Sequence, residues 1–333
     1  MQKALDVLVV GNAILDTVGR CDEQALAKRH APKGHMTLVS DPLEIEAMRQ
    51  ELKHYTELAG GSGANTATGV ASLGGRAGFI GKTAGDECGH IFRSDIQRAG
   101  VEFDSAPTLL QGKKTARSLI LVTPDAARTM LTFLGCSQDL DAGAIDAEKI
   151  SSAAVVLLEG YLFDAPGSRA ALVRAAAVAK ANKRTIALTL PDTLCIERHR
   201  FDFIELIRSA TDLVIANEAE VKCLYRTSSF SEAVAHIRRD CRLAAITRGS
   251  QGSLLVSTSS DVTVPAEKVR TLVDRTGAGD LYAAGLLYGM SRGLKLEASG
   301  RLAGFAAAEI LSILGARPQV RLSHLAQMRG FLV

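Results

Sequence analysis

The sequence predicts an α/β fold: a mainly parallel sheet flanked by helices, with a small β-sheet lid projecting from it. Three observations predict it. From residue 154 onward, short apolar runs alternate with helix-like segments, the rhythm of strands joined by crossover helices. Two stretches, about 13–40 and 108–134, break that rhythm with strand-like pieces and no clear crossover helix. The 333 residues are 47% hydrophobic, enough to bury one large core with a small appendage. The chain, 1–333, is therefore read as a single α/β domain with lid strands inserted from those two stretches.

The elements follow in order. Asp6-Val-Leu-Val-Val-Gly11 is a short β-branched run closed by glycine, the pattern of a buried strand. Pro42 to Glu57 has helical spacing, with Asp41 as N-cap and Pro42 in the first helical position. Gly60-Gly-Ser-Gly-Ala-Asn65 leads into a helix of small residues, Thr66 to Leu73. Ser118–Thr123 and Thr129–Leu134 alternate as strands of the second insertion. Then come strand Ala154–Glu159 and helix Ser168–Ala181, strand Thr185–Leu190 and helix Phe201–Arg208, strand Leu213–Ala216 and helix Glu218–Tyr225. Strands Leu243–Thr247 and Ser253–Ser257 follow, and helices Gly277–Ser291, Glu297–Leu314 and Ser323–Arg329 complete the chain.

Composition removes several function classes. With 39 basic and 36 acidic residues the net charge is +3, no basic block occurs, and aromatics are 5% with no tryptophan. Neither the electrostatic footprint nor the stacking platforms of a nucleic-acid binder are present. The six cysteines are widely spaced without a C-x-x-C pair, so they read as reduced thiols, not a zinc site or disulfide scaffold. The seven histidines show no ligand spacing. Met1 to Gly11 lacks the basic start and cleavage site of a signal peptide. No apolar stretch approaches the ~18 residues of a membrane span. The expectation is a cytoplasmic enzyme with no membrane or nucleic-acid partner.

Two phosphate-loop look-alikes fail on spacing. Gly81-Lys82-Thr83 needs a glycine five residues upstream and has Arg76 there. Gly61-Ser-Gly-Ala-Asn-Thr66 lacks the third glycine of a dinucleotide fingerprint and follows a helix-like segment.

The informative run is Asp274-Arg-Thr-Gly-Ala-Gly-Asp280, opening directly into an apolar helix. The missing side chains of Gly277 and Gly279 let backbone N–H groups approach a ligand, and at a helix start those donors are unpaired beside a positive dipole end. That makes an anion site. The neighbouring carboxylate of Asp280 can take a proton from an attacking hydroxyl while the donors stabilise a transferring phosphoryl group.

This run resembles the C-terminal signature of the ribokinase-like (PfkB) carbohydrate kinases; Arg275 stands where many members have threonine. The resemblance implies a Rossmann-like sheet and ATP-dependent transfer to an alcohol. It makes Asp280 the base and the amides of Gly277, Ala278 and Gly279 the anion hole. Gly60-Gly61 resembles the family's N-terminal glycine pair, with Asn65 offering a donor and an acceptor to a vicinal diol. Asp16 falls where the family places a sugar-binding aspartate, and Asn12 is a further candidate for that pocket. Asn217-Glu-Ala-Glu220 matches an N-x-x-E motif that orders the water shell of Mg²⁺, with Glu218 as the rival acid. Thr247-Arg-Gly-Ser-Gln-Gly252 resembles a turn that contacts ATP phosphates through Thr247, Gly249 and Gly252. Arg128 lies where the adenosine kinase branch carries a lid arginine, with Arg117 as competitor. In this pattern Ala77–Gly81 is a strand.

Ala59-Gly-Gly-Ser62 and Arg128-Thr-Met-Leu-Thr-Phe-Leu-Gly135 resemble the adenosine kinase branch. The expected reaction is therefore MgATP-dependent phosphorylation of the primary hydroxyl of adenosine or a similar nucleoside, with Ile14, Tyr161 and Phe163 as candidate walls for a base. The alternatives are a free-sugar kinase, ribokinase- or fructokinase-like, and a catalytically silent ligand-binding protein. The resemblance leaves open a monovalent cation such as K⁺, and a monomer or a homodimer.

Overall fold

The structure is a computed structural model that describes residues 5–27, 32–125 and 127–332. The first four residues of the N-terminal reading and residues 28–31 of the first insertion lie outside the described residues.

In chain order the elements begin β1 (Leu5–Val10), β2 (Ile14–Arg20), α1 (Glu23–Ala27), β3 (Met36–Leu38), α2 (Pro42–Gln50) and β4 (Tyr55–Gly60). They continue with α3 (Ser62–Ser72), β5 (Ala77–Ile80), α4 (Glu87–Arg98), β6 (Val101–Glu102), β7 (Ala116–Val122) and β8 (Arg128–Phe133). The regular half holds α5 (Ala147–Ser152), β9 (Ala153–Glu159), α6 (Pro166–Ala181), β10 (Thr185–Thr189), α7 (Thr193–Ala210) and β11 (Leu213–Asn217). Last come α8 (Glu218–Leu224), α9 (Phe230–Asp240), β12 (Leu243–Thr247), β13 (Ser253–Ser257), β14 (Asp261–Val264), α10 (Ala278–Ser291), α11 (Leu296–Ile310) and α12 (Leu322–Met328).

The main sheet has the order β14-β13-β12-β11-β10-β9-β1-β5-β6 and is parallel except for β13 and β14. β1 is buried along its whole length, as its unbroken apolar run requires. One face packs against α6, α7 and α9 through Leu172, Phe203 and Ile237; the other packs against α3, α10 and α11 through Val70, Leu281 and Phe305. The chain leaves β1 toward β5 and later returns to β9 on the other side, so the strand order reverses between β1 and β9. A crevice opens outside the carboxyl ends of the strands at such a point.

The second sheet has the order β3-β8-β7-β2-β4. Its strands β2 and β3 come from residues 13–40, and β7 and β8 from 108–134. The helix expected over Pro42–Glu57 is shorter than its spacing suggests. α2 ends at Gln50, and Tyr55–Gly60 instead pairs antiparallel with β2. Asp41 caps α2 by accepting from Leu43 N at 2.9 Å, as expected. Pairing to β2 buries Leu58 and Ala59, a gain from distant chain that local helical spacing does not register. Alternation along β7 and β8 gives this sheet two unlike faces. Leu119, Leu121 and Leu131 pack under Ile45 of α2, while Ser118, Ile120, Met130 and Thr132 face the main sheet.

Candidate active site

A cleft of about 550 Å³ lies between the carboxyl ends of the main strands and the inner face of the small sheet. The phosphate-facing turn is built from its buried acid upward. Asp274 is 0% exposed; Oδ1 accepts from Thr276 N at 2.9 Å and Thr276 Oγ1 at 2.8 Å, and Oδ2 accepts from Gly315 N at 2.8 Å. This carboxylate fixes the bend from which α10 starts. Gly277 is left-handed (φ +78°), and a Cβ there would sit 2.5 Å from the Ala316 Cβ, so both conformation and space require glycine. The amides of Gly277 and Gly279 have no acceptor among the described residues, whereas Ala278 N makes a long 3.5 Å bond to Arg275 O. Residues 275–280 all line the cleft.

Asp280 is held from α3. Ser62 Oγ donates to its Oδ1 at 2.7 Å and Asn65 Nδ2 to its Oδ2 at 2.9 Å. Burial raises its carboxyl above the ordinary range, opposed by the Asn65 and Ser62 hydrogen bonds and by the Arg128 charge. Asp16, 5% exposed, projects from β2 into the same cleft. Burial and the nearby Asp280 charge push it up to about 7, against a Gly61 backbone hydrogen bond and the Arg317 and Arg128 charges. Gly60 backs it so closely that a Cβ would fall on the carboxylate.

Glu159, at the end of β9, was not singled out from the sequence. It is buried, lines the cleft at the strand reversal, and accepts from Asn12 N (3.1 Å), Asn12 Nδ2 (3.3 Å) and Gly63 N (2.9 Å). Burial pushes it up to about 7. An acid closing the carboxyl end of an apolar strand was the readable signal. Ser62 belongs to the Ala59-Gly-Gly-Ser62 run but carried no role of its own there, and Asp192 and Arg317 lie in no spacing motif.

Asn217 and Glu220 close a capping box at the start of α8: Asn217 N donates to Glu220 Oε2 at 2.8 Å and Glu220 N to Asn217 Oδ1 at 2.9 Å. Both line the cleft. The rival Glu218 is tied to Lys222 and Arg248, at 2.6 and 2.9 Å. Burial, with the Asp192 and Asp280 charges, pushes Glu220 up to about 8. An amide and a carboxyl side by side at the cleft wall, with Asp192 and Asp280 near enough to act on Glu220, make an oxygen-rich donor set that fits a hydrated divalent cation.

Arg128 lines the cleft, and its charge acts on both Asp16 and Asp280. Arg117, at the other end of the β7–β8 pairing and on the opposite face, donates to Glu46 at 3.1 Å instead. Thr247 lines the cleft, but Gly249 and Gly252 sit in the β12–β13 turn outside its lining. Ile14 and Tyr161 are cleft walls. Phe163 is not: it is core, 4.3 Å from the Phe203 ring centre. The apolar wall comes from the small sheet as Met36, Leu38, Ile120 and Met130. At one end of the cleft, Asp164 meets Cys195 and His199 with ligand atoms within 4.8 Å, but Arg198 already donates to both Asp164 oxygens, which makes the group a structural tie.

Residues 33–321 match the pfkB family carbohydrate kinases. The chain belongs to the pfkB carbohydrate kinase family. It is accordingly a phosphotransferase acting on a hydroxyl group, and the family implies ATP and typically Mg²⁺. A 5-dehydro-2-deoxygluconokinase of Shouchella clausii is 29% identical over 81% of this chain and 85% of its own. The structure of a probable sugar kinase from Rhizobium etli is similar at TM-score 0.93, with 38% identity over 99% of this chain and all of that one. That of adenosine kinase from Sinorhizobium meliloti is similar at TM-score 0.92, with 41% identity over 98% and 99%. Family members thus carry both sugar and nucleoside names. No helix among the described residues is long and apolar enough to cross a membrane.

Proposed function

We propose that this kinase phosphorylates the primary hydroxyl of a nucleoside, adenosine or a close analogue, with MgATP as donor. The observation that carries the reading is the apolar inner face of the small sheet. Ile14, Met36, Leu38, Ile120 and Met130 wall the same cleft that holds Asp16, Asn65 and Asp280. A free sugar presents hydroxyls on every side and has no use for such a wall. A nucleoside has a flat base to bury there and a ribose diol for Asp16 and Asn65. The 41% identity to the Sinorhizobium meliloti protein supports the same choice.

In this reading the acceptor hydroxyl gives its proton to Asp280, its oxygen bonds to the γ-phosphorus of ATP, and the bond to the bridging oxygen breaks, releasing ADP. The Gly277 and Gly279 amides, with Ala278 beside them, and the Arg128 guanidinium stabilise charge on the transferring group. Asn217 and Glu220 would hold the water shell of Mg²⁺, which would neutralise phosphate charge when bound. Thr247 contacts the ATP phosphates. Use of ATP as donor supports a cytoplasmic location for the reaction.

A second reading follows from the 5-dehydro-2-deoxygluconokinases: an acidic sugar, whose carboxylate Arg128 would pair. ADP release should be measured with adenosine, ribose, fructose and 5-dehydro-2-deoxygluconate. Adenosine should give the highest kcat/KM; turnover on a sugar alone would overturn the nucleoside reading.

A further inference from the structure

We propose that Arg317 is a positioning residue for the acceptor site, bracing the Ala59–Gly61 turn and Asp16 from the same short segment that fixes the phosphate-facing turn. The inference rests on reading Asp16 as the acceptor's partner.

Residues 315–317 serve both halves of the cleft. Gly315 N donates to Asp274 at 2.8 Å, and Ala316 packs against Gly277. One residue later the chain reaches the other half. Arg317 Nη2 donates to Ala59 O at 2.6 Å and to Asp95 Oδ2 at 3.0 Å, and the same Asp95 oxygen accepts from Ala59 N at 2.8 Å. β4 is an edge strand of the small sheet, so the outward backbone groups of Ala59 have no strand to pair with. Arg317 and Asp95 of α4 satisfy both of them. The next residues are Gly60, which backs the Asp16 carboxylate, and Gly61, whose N–H bonds to it. The backbone against Asp16 is therefore placed by Arg317.

The residue type points to charge as well as shape. Arg317 Nε and Nη1 are buried with no hydrogen-bond partner among the described residues, a costly arrangement that an apolar side chain would avoid. What an apolar residue lacks is the charge. The groups acting on buried Asp16 are Asp280 of α10, which disfavours its ionised form, and Arg317 and Arg128 of β8, which favour it. Asp95 and Arg98 of α4 are the other charges facing Arg317. An ionised Asp16 accepts two hydroxyl hydrogen bonds; a protonated one has lost part of that capacity.

The test compares Arg317→Met, Asp95→Asn, Asp16→Asn and the Arg317→Met/Asp16→Asn double variant in the full chain. The acceptor is the one identified by ADP release, adenosine on the present reading. Arg317→Met should raise the acceptor KM about tenfold and move the acidic limb of acceptor kcat/KM up by about one pH unit. The ATP KM and kcat should stay near wild type, and in the Asp16→Asn background the substitution should add little. Asp95→Asn, which keeps the Arg317 charge, should raise the acceptor KM without moving the limb. Two outcomes overturn the brace: an acceptor KM at the wild-type value in Asp95→Asn, or equal losses toward both substrates with an unmoved limb in Arg317→Met. If Asp16→Asn itself leaves the acceptor KM unchanged, the acceptor-site reading is what fails.

Discussion

Asn65 Nδ2 lies 2.9 Å from Asp280 Oδ2, joining the first turns of α3 and α10 across 215 residues of chain. The other end of the same amide, Oδ1, is buried with no hydrogen-bond partner among the described residues. One side chain thus orients the proposed base while its own acceptor stays unpaired beside it.

The first expectation concerns that base. Asp280→Asn should lower kcat by roughly 10²–10⁴-fold, the usual contribution of a positioned base, while calorimetry still registers MgATP binding. Turnover near wild type would remove Asp280 from its role.

Asn65→Ala should act through the protonation of Asp280. The Asn65 hydrogen bond holds the carboxyl down against burial, so its loss raises the proton affinity. The acidic limb of the kcat–pH profile should move to higher pH, leaving the variant most impaired below neutrality. A uniform loss at every pH would contradict this.

The two arginines of the small sheet should separate cleanly. Arg128→Ala removes the cation beside Asp16 and Asp280 and should cost at least about tenfold in kcat; a transition-state arginine can contribute much more. Arg117→Ala breaks a half-buried pair with Glu46 outside the cleft, so it should lower Tm and leave kcat unchanged. Steady-state kinetics and thermal melts on both variants decide it.

Glu220→Gln should raise the Mg²⁺ concentration needed for half-maximal turnover. It also weakens the capping box of α8, so a small loss of Tm is expected beside the kinetic effect. An unchanged Mg²⁺ dependence would leave Glu220 with the capping role alone.

Stability should fall as pH rises through neutrality. Glu159 and Asp16 are pushed up to about 7 and Glu220 to about 8, so between about pH 4.5 and 8 the folded state binds more protons than the unfolded chain. Their contribution is complete below the ordinary carboxylate range and lost as pH passes these raised values. Glu159→Gln should flatten that decline in a Tm–pH series on the ligand-free protein; an unaltered slope would show that Glu159 does not contribute.

Asp274–Asp280 was legible because it is local: an acid, a glycine bend and a helix start within seven consecutive residues dictate their own geometry. The same holds for β12 and β13, whose bounds match the predicted ones, and for the apolar runs that became β1, β9 and β11. The tertiary structure decided what depends on pairing between distant segments. Register set Val122 opposite Arg128 and Arg117 opposite Phe133, and because side chains alternate, one arginine entered the cleft and the other left it. Strand β4 exists because β2 lies beside it, and Glu159 matters because the sheet reverses order next to it. Local sequence carries conformational preference and chemistry; which face meets which is fixed only when the sheets close.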